Sequence, residues 1–290
     1  MVLMNTISIV TPVRNSPELL IETMQSISGQ IGIGIEFNVQ HIIVDGDSED
    51  DTLDRAKAFI DANEQTGISY VIFSEKDQSM YDAISKGLAL CTGQILAYQN
   101  AGDIYHVGAF AAISFLFSNS NCRWAYGRKA TMNFHGTCVN DTVAIPYLKT
   151  LVNSGFHGLR KPNLGFFQQE SLFFRLESLQ DFDVSKFARF KLAGDFYLFQ
   201  HLSNQERGYF IDSLISGHRL HENQLSLNLS GYRLEMNPLL KKPNLLDYTI
   251  ANLMKIVSFL PQNLLRRLHS KLLIWNHGDK NWNIIVRNRC

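Results

Sequence analysis

The chain is 290 residues long, 45% hydrophobic and 19% charged, with 27 Lys and Arg matched by 27 Asp and Glu. Such a composition buries a sizeable core and excludes a disordered chain, and zero formal net charge removes any general argument for nucleic acid as a partner. The balance is uneven, because residues 241–290 carry nine Lys and Arg against only Asp247 and Asp279, so a basic tail follows an acidic body.

Cys91, Cys122, Cys138 and Cys290 form no CxxC pair and no metal-ligand spacing with His, which fits a reducing cytoplasm. The first residues, Met1-Val-Leu-Met-Asn-Thr6, lack a basic region followed by a long apolar stretch, so no secretory signal is expected. No segment reaches the roughly 18 uninterrupted apolar residues of a spanning helix, and a soluble or peripheral protein is expected.

Thr6-Ile-Ser-Ile-Val-Thr11 is a β-branched apolar run suited to a strand buried on both faces. It opens into Pro12-Val-Arg-Asn15. Ser16 then stands as an N-cap, with Pro17 at the first helical position, Glu18 in the first turn, and Leu19, Leu20, Thr23, Met24 and Ile27 at helical spacing. The loop has no glycine, which removes the GxGxxG fingerprint of a Rossmann dehydrogenase and the NAD reading with it. Val39 to Val44 is a second buried strand. Asp45-Gly-Asp47 turns it into a helix that Ser48 is placed to cap, with Leu53, Ala56, Phe59 and Ile60 as the apolar face.

A third strand, Tyr70 to Phe73, leads into residues 75–103, which combine a polar loop, a short helix, a buried strand and a second polar loop. Tyr81, Ile84, Leu88 and Cys91 share one helical face, while Asp82, Ser85 and Lys86 point elsewhere. Gln94 to Tyr98 then delivers Asn100-Ala-Gly-Asp103 at a strand's carboxyl end, where ligands bind in an open α/β sheet. Three βα units in succession predict a mostly parallel sheet with helices on both faces, its loops carrying Thr11 to Asn15, Asp45 and Asp77 along one edge.

Beyond Asp103, Val107 to Phe117 reads as a helix, Trp124 to Gly127 as a strand and Lys129 to Asn163 as irregular chain. Leu164 to Arg175 returns to apolar residues around a polar centre that holds Glu170. Asp195 lies at or beside a helix start, and Tyr209 to Ile215 is a strand followed by Gly217-His-Arg-Leu-His221. Leu245 to Leu260 and Asn263 to Trp275 both carry helical spacing, separated by Pro261. Apolar residues at 250, 253, 254, 257 and 260 form one stripe with Lys and Arg on other faces. That pattern suits a helix on an anionic membrane surface and a helical hairpin packed on the body equally well.

In order, Thr11-Pro-Val-Arg-Asn15, Ile43-Val-Asp-Gly-Asp-Ser-Glu-Asp-Asp-Thr52, residues 75–87, Asn100-Ala-Gly-Asp103 and Ala193-Gly-Asp-Phe196 resemble the family 2 inverting glycosyltransferases of GT-A fold. They are most similar to bacterial polysaccharide and colanic-acid-type enzymes, over roughly residues 6–230. The resemblance implies an α/β fold of the nucleotide-diphospho-sugar transferase type, a mostly parallel central sheet flanked by helices with a carboxyl-terminal helical extension. Residues 1–235 would form the GT-A domain, with a nucleotide-sugar-binding half at 1–105 and an acceptor and catalytic half at 106–235, followed by a basic amphipathic helical tail at 236–290.

By the same resemblance, Thr11, Pro12, Arg14 and Asn15 would line the nucleoside pocket and Asp45 would accept from a base N–H. Asp77, Asp82 and Lys86 would sit near ribose and diphosphate. Asn100 to Asp103 takes the place of the family's DxD-type motif, with Asn100 where a first carboxylate is usual and Asp103 holding Mg2+ or Mn2+ against the diphosphate. Asp195 resembles the catalytic base, with Glu170 as second candidate, while His221 would join the metal or diphosphate and Arg219 a phosphate. The implied partners are a nucleotide-sugar and a lipid-linked or polysaccharide acceptor. The expected place is the cytoplasm, with peripheral contact through the tail to the inner face of the plasma membrane.

Asp47 and Ser79 stand where the family favours glycine, and Ser85 where asparagine is common. These departures keep open a non-catalytic nucleotide-sugar-binding or scaffolding subunit. A GT-A-like nucleotidyltransferase would need a glycine-rich basic loop after the first strand, which Thr11 to Asn15 is not.

Overall fold

The apolar runs of the first hundred residues form one side of a long sheet. In this computed structural model, which describes residues 4–133, 136–219 and 228–287, β1 (Asn5–Val13), β2 (Phe37–Asp45), β3 (Ile68–Ser74) and β4 (Ile95–Tyr98) pair in parallel, joined through α1 (Pro17–Ser28), α2 (Thr52–Ala62) and α3 (Met80–Ala89). Side chains alternate across a strand, and both faces of β1 are covered. Ile7 and Ile9 pack into a core shared with Phe110, Ile113 and Leu116 of α4 (Ala109–Ser118), whereas Val10 joins Tyr81, Ile84 and Leu88 of α3 on the other face. Gly87 lets α3 approach this closely, since a Cβ there would overlap Val10 and Val44. Gly87→Ala is therefore expected to lower stability by about 1–3 kcal/mol despite its better helix propensity, measurable as a shift of the urea midpoint.

The second half extends the sheet. Its order is β13-β12-β10-β6-β9-β4-β1-β2-β3, with β6 (Trp124–Tyr126), β9 (Leu172–Arg175), β10 (Tyr209–Ile211), β12 (Lys271–Asn276) and β13 (Asn281–Val286). β9 runs antiparallel to both neighbours, β4 and β6. Its amino end therefore lies at the edge formed by the carboxyl ends of the parallel strands. A small sheet, β5-β11-β7-β8, sits beside that edge, built from β5 (Ile104–Tyr105), β7 (Lys129–Met132), β8 (Cys138–Thr142) and β11 (Ser216–Arg219).

Four local expectations change. The stretch from 129 to 163 holds the β7–β8 hairpin and α5 (Lys149–Asn153) rather than irregular chain. Ser48 does not cap α2, whose N-cap is Asp51; Ser48 is drawn instead into hydrogen bonds with Asp45 and Asn15. The strand expected over 209–215 ends at Ile211. The tail is helical in α9 (Leu245–Val257) and the short α10 (Gln262–Leu265), after which β12 and β13 form a hairpin that joins β10 and covers the sheet edge. Leu272 and Leu273 are both buried and Trp275 meets Trp282 edge to face at 5.3 Å, so strand pairing overrides the helical spacing that ran through Trp275.

Candidate active site

Three segments far apart in sequence meet at the sheet edge. Asp103 follows β4 through a turn closed by its own N–H donating to the Asn100 carbonyl, with Gly102 in the left-handed region at φ 100°. Glu170 lies in a single 3-10 turn, Gln169–Ser171, at the start of β9, and His218 comes from β11. One ligand atom from each of Asp103, Glu170 and His218 lies within 4.8 Å of the others. His218 Nδ1 is 3.1 Å from Glu170 Oε1 and 3.9 Å from Asp103 Oδ1. The Arg219 backbone N–H donates to the same Asp103 Oδ1 at 3.0 Å, fixing the carboxylate.

Burial, with the Glu170 carboxylate next, holds Asp103 well above the ordinary carboxylate range, while His218 and Arg219 pull the other way. Two buried carboxylates beside an imidazole are a donor set that fits a divalent cation, which would offset their mutual repulsion. Glu170, first considered as a base, is thus placed in the Asp103 group. The imidazole there is His218; His221, the expected ligand, lies outside the described residues. Arg219, expected on a phosphate, pairs its guanidinium with Glu22 of α1 and spends its backbone on Asp103.

Asp195 occupies the first turn of α7 (Gly194–Gln205). Its Oδ1 accepts from the Phe196 N–H at 2.7 Å and from the hydroxyl of Tyr232, on α8 (Leu229–Met236), at 3.1 Å. Burial raises its pKa to about 7, offset in part by those hydrogen bonds and reinforced by the nearby charge of Glu170. The Glu170 charge thus raises the pKa of both Asp103 and Asp195. The Glu235 carboxylate, also on α8, accepts from the backbone N–H groups of Lys191, Leu192 and Ala193 and holds the entry to α7. Tyr232 and Glu235 carry no motif, and only a contact across about forty residues reveals them.

The loops expected to bind the donor interlock. Asn15, itself left-handed at φ 48°, receives a hydrogen bond on Oδ1 from the Glu49 N–H, while its own N–H donates to Ser48 Oγ. Asp45 is fully buried and accepts from Ser48 and from Ser74 Oγ at 2.7 Å, so its carboxylate organises the loops from beneath. Asp77 lies over Gly46, where a Cβ would overlap its carboxylate. Burial raises the Asp77 pKa; Lys86, Asp82, Arg14 and Asp45 also act on it, which gathers five expected donor residues into one electrostatic group. Lys86 is 3.5 Å from Asp82 and donates to the Lys76 carbonyl.

Pro12 is buried, Arg14 is exposed, and the buried Asn100 Oδ1 has no hydrogen-bond partner among the described residues. Thr11 differs from expectation: it is fully buried and its hydroxyl pairs with His41 Nε2 at 2.9 Å, serving the sheet and not the pocket. The three departures have local roles. Asp47 sits at φ 67°, which accounts for glycine being usual there; Ser79 caps α3 by accepting from the Asp82 N–H; and Ser85 donates to the Tyr81 carbonyl.

With this geometry in view, residues 8–119 match the family model for Glycosyl transferase family 2. This segment belongs to that family. A PGL/p-HBAD biosynthesis glycosyltransferase of Mycobacterium tuberculosis is 32% identical over 108 residues, which is 37% of this chain and 40% of that protein. The alignment with that relative thus spans less than half of either protein. S. aureus TarS 1-349 in complex with UDP-GlcNAc superposes with a TM-score of 0.57 at 11% identity, covering 91% of this chain and 70% of that one. The mannosyltransferase PcManGT from Pyrobaculum calidifontis, in complex with GDP-Man and Mn2+, gives 0.57 at 12% identity over 91% and 72%. The fold beyond the family 2 segment is that of the GT-A glycosyltransferases.

Proposed function

We propose that the chain moves one sugar, with inversion, from a nucleotide-sugar to a hydroxyl of a lipid-linked or polysaccharide acceptor, at the cytoplasmic face of a membrane. The observation that carries this is the buried group of Asp103, Glu170 and His218 at the sheet edge, whose Glu170 charge also acts on Asp195 at a helix start. Asp195 takes the proton from the acceptor hydroxyl; that oxygen forms the new bond to the anomeric carbon as the bond to the diphosphate breaks, and the electron pair leaves on the nucleoside diphosphate. Tyr232 and the Phe196 N–H hold the receiving carboxylate in place.

Arg14 and Lys86 are the cations on the donor side, and Asp77 and Asp82 would take ribose hydroxyls. Asp103, Glu170 and His218 would hold Mn2+ or Mg2+, which when bound supplies positive charge against the departing diphosphate. The acceptor class, inversion and the metal are all part of this proposal.

A panel of nucleotide-sugars with purified chain and a polyprenyl-linked sugar acceptor tests it. Release of nucleoside diphosphate that depends on the acceptor is expected. Retention of anomeric configuration in the product would overturn inversion, and neither transfer nor donor hydrolysis with any donor would favour the non-catalytic subunit. Since the base must be unprotonated, kcat/KM should rise with pH through a limb near 7, the value to which burial brings Asp195. A profile flat from pH 5.5 to about 8.5 would speak against Asp195 as the base.

A further inference from the structure

α9 carries two apolar strips. Its inner side places Ala251, with half-buried Ile250 and Met254, against Ile145, Leu151 and Phe156 of the body. Its outer side carries Leu253 and Ile256, 57% and 68% exposed, and the chain just past the helix adds Phe259 at 80%. Leu246, also exposed, falls with Leu253 and Ile256 within about a quarter turn at helical spacing. A helix that is hydrophobic all round is ordinarily covered all round, and single scattered apolar residues differ from such an aligned row.

The charges nearby have one sign. Lys241 and Lys242 are exposed just before the helix, and the Lys255 ammonium lies 5.8 Å from the Phe259 ring centroid. The one acidic side chain of α9, Asp247, is buried in the N-cap, where it accepts from the Asn244 N–H. A second copy docked on this face through two-fold symmetry would bring lysines against lysines. An anionic bilayer supplies both an apolar interior and phosphate charge.

We propose that the outer face of α9 seats on an anionic phospholipid surface, with Leu253, Ile256 and Phe259 entering the headgroup boundary and Lys241, Lys242 and Lys255 meeting lipid phosphates. α8, which supplies Tyr232 to Asp195, precedes α9 closely in sequence. This deepens the proposed transfer by naming where its acceptor is met.

Sedimentation of the full chain with vesicles, with no donor present, tests it. Binding is expected to vesicles of phosphatidylcholine mixed with phosphatidylglycerol and not to phosphatidylcholine alone, weakening as salt rises. The double variant Ile256→Glu with Phe259→Glu should partition at least about tenfold less while melting at the wild-type temperature. Equal partitioning of wild type and variant, or binding indifferent to phosphatidylglycerol, would overturn it. So would dimerisation by light scattering that the same substitutions abolish, since α9 would then cover a second copy. Donor hydrolysis in vesicle-free solution reads the transfer chemistry separately, so loss of lipid binding and loss of the glycosyltransferase reading are distinguishable.

Discussion

Asp195→Asn is expected to lower kcat for transfer by about 10²- to 10⁴-fold while leaving nucleoside diphosphate affinity nearly unchanged. Asn retains an oxygen that accepts from the Phe196 N–H and the Tyr232 hydroxyl, so the start of α7 should keep its shape. The stability effect has a definite sign. An acid whose pKa rises from 3.8 to about 7 on folding binds its proton more tightly in the native state, so its contribution to stability is lost as pH climbs through that window. The amide has no such loss. At pH 8 the variant should melt at or above the wild-type temperature, and thermal unfolding at pH 5 and pH 8 checks it. Wild-type transfer by the variant would remove Asp195 from the base role.

Asp103→Ala should abolish the gain in UDP or GDP affinity that Mn2+ confers on the wild type, and lower transfer by about 10²- to 10³-fold, the order seen when one preorganised charge partner is removed. Calorimetry with and without Mn2+ reads the first effect directly. Alanine also removes an acceptor from the buried Arg219 N–H. Asp103→Asn keeps an acceptor for that N–H and separates the two effects: its fold should hold while its Mn2+ dependence falls. An unchanged calorimetric response in both variants would count against metal clamping.

The first half was the more legible part of the chain. Parallel strands covered on both faces read as continuous apolar runs, and β1, β2 and β4 carry just such runs into polar loops. Strand direction leaves no comparable mark. Nothing in Leu164 to Arg175 tells that β9 runs against its neighbours, yet that reversal is what brings Glu170 to Asp103. His218 was equally hidden, beside Arg219, because only the pairing of β11 with β5 and β7 decides which of these two faces Asp103. Leu272 to Trp275 suits helix and strand alike, and the choice is made by β10, some sixty residues earlier in the chain. Thr11 looked like a pocket residue from its motif, and its burial against His41 depends on β2 lying alongside.

The hydrogen bonds that lock Asn15 to Ser48 and Glu49 have a thermodynamic consequence for ligand entry. Loops already fastened to one another forfeit little conformational freedom when a nucleotide arrives, so affinity is not drained by ordering them. The same rigidity would narrow tolerance at the proposed nucleotide site, since shifting either loop for a differently shaped base would break both hydrogen bonds.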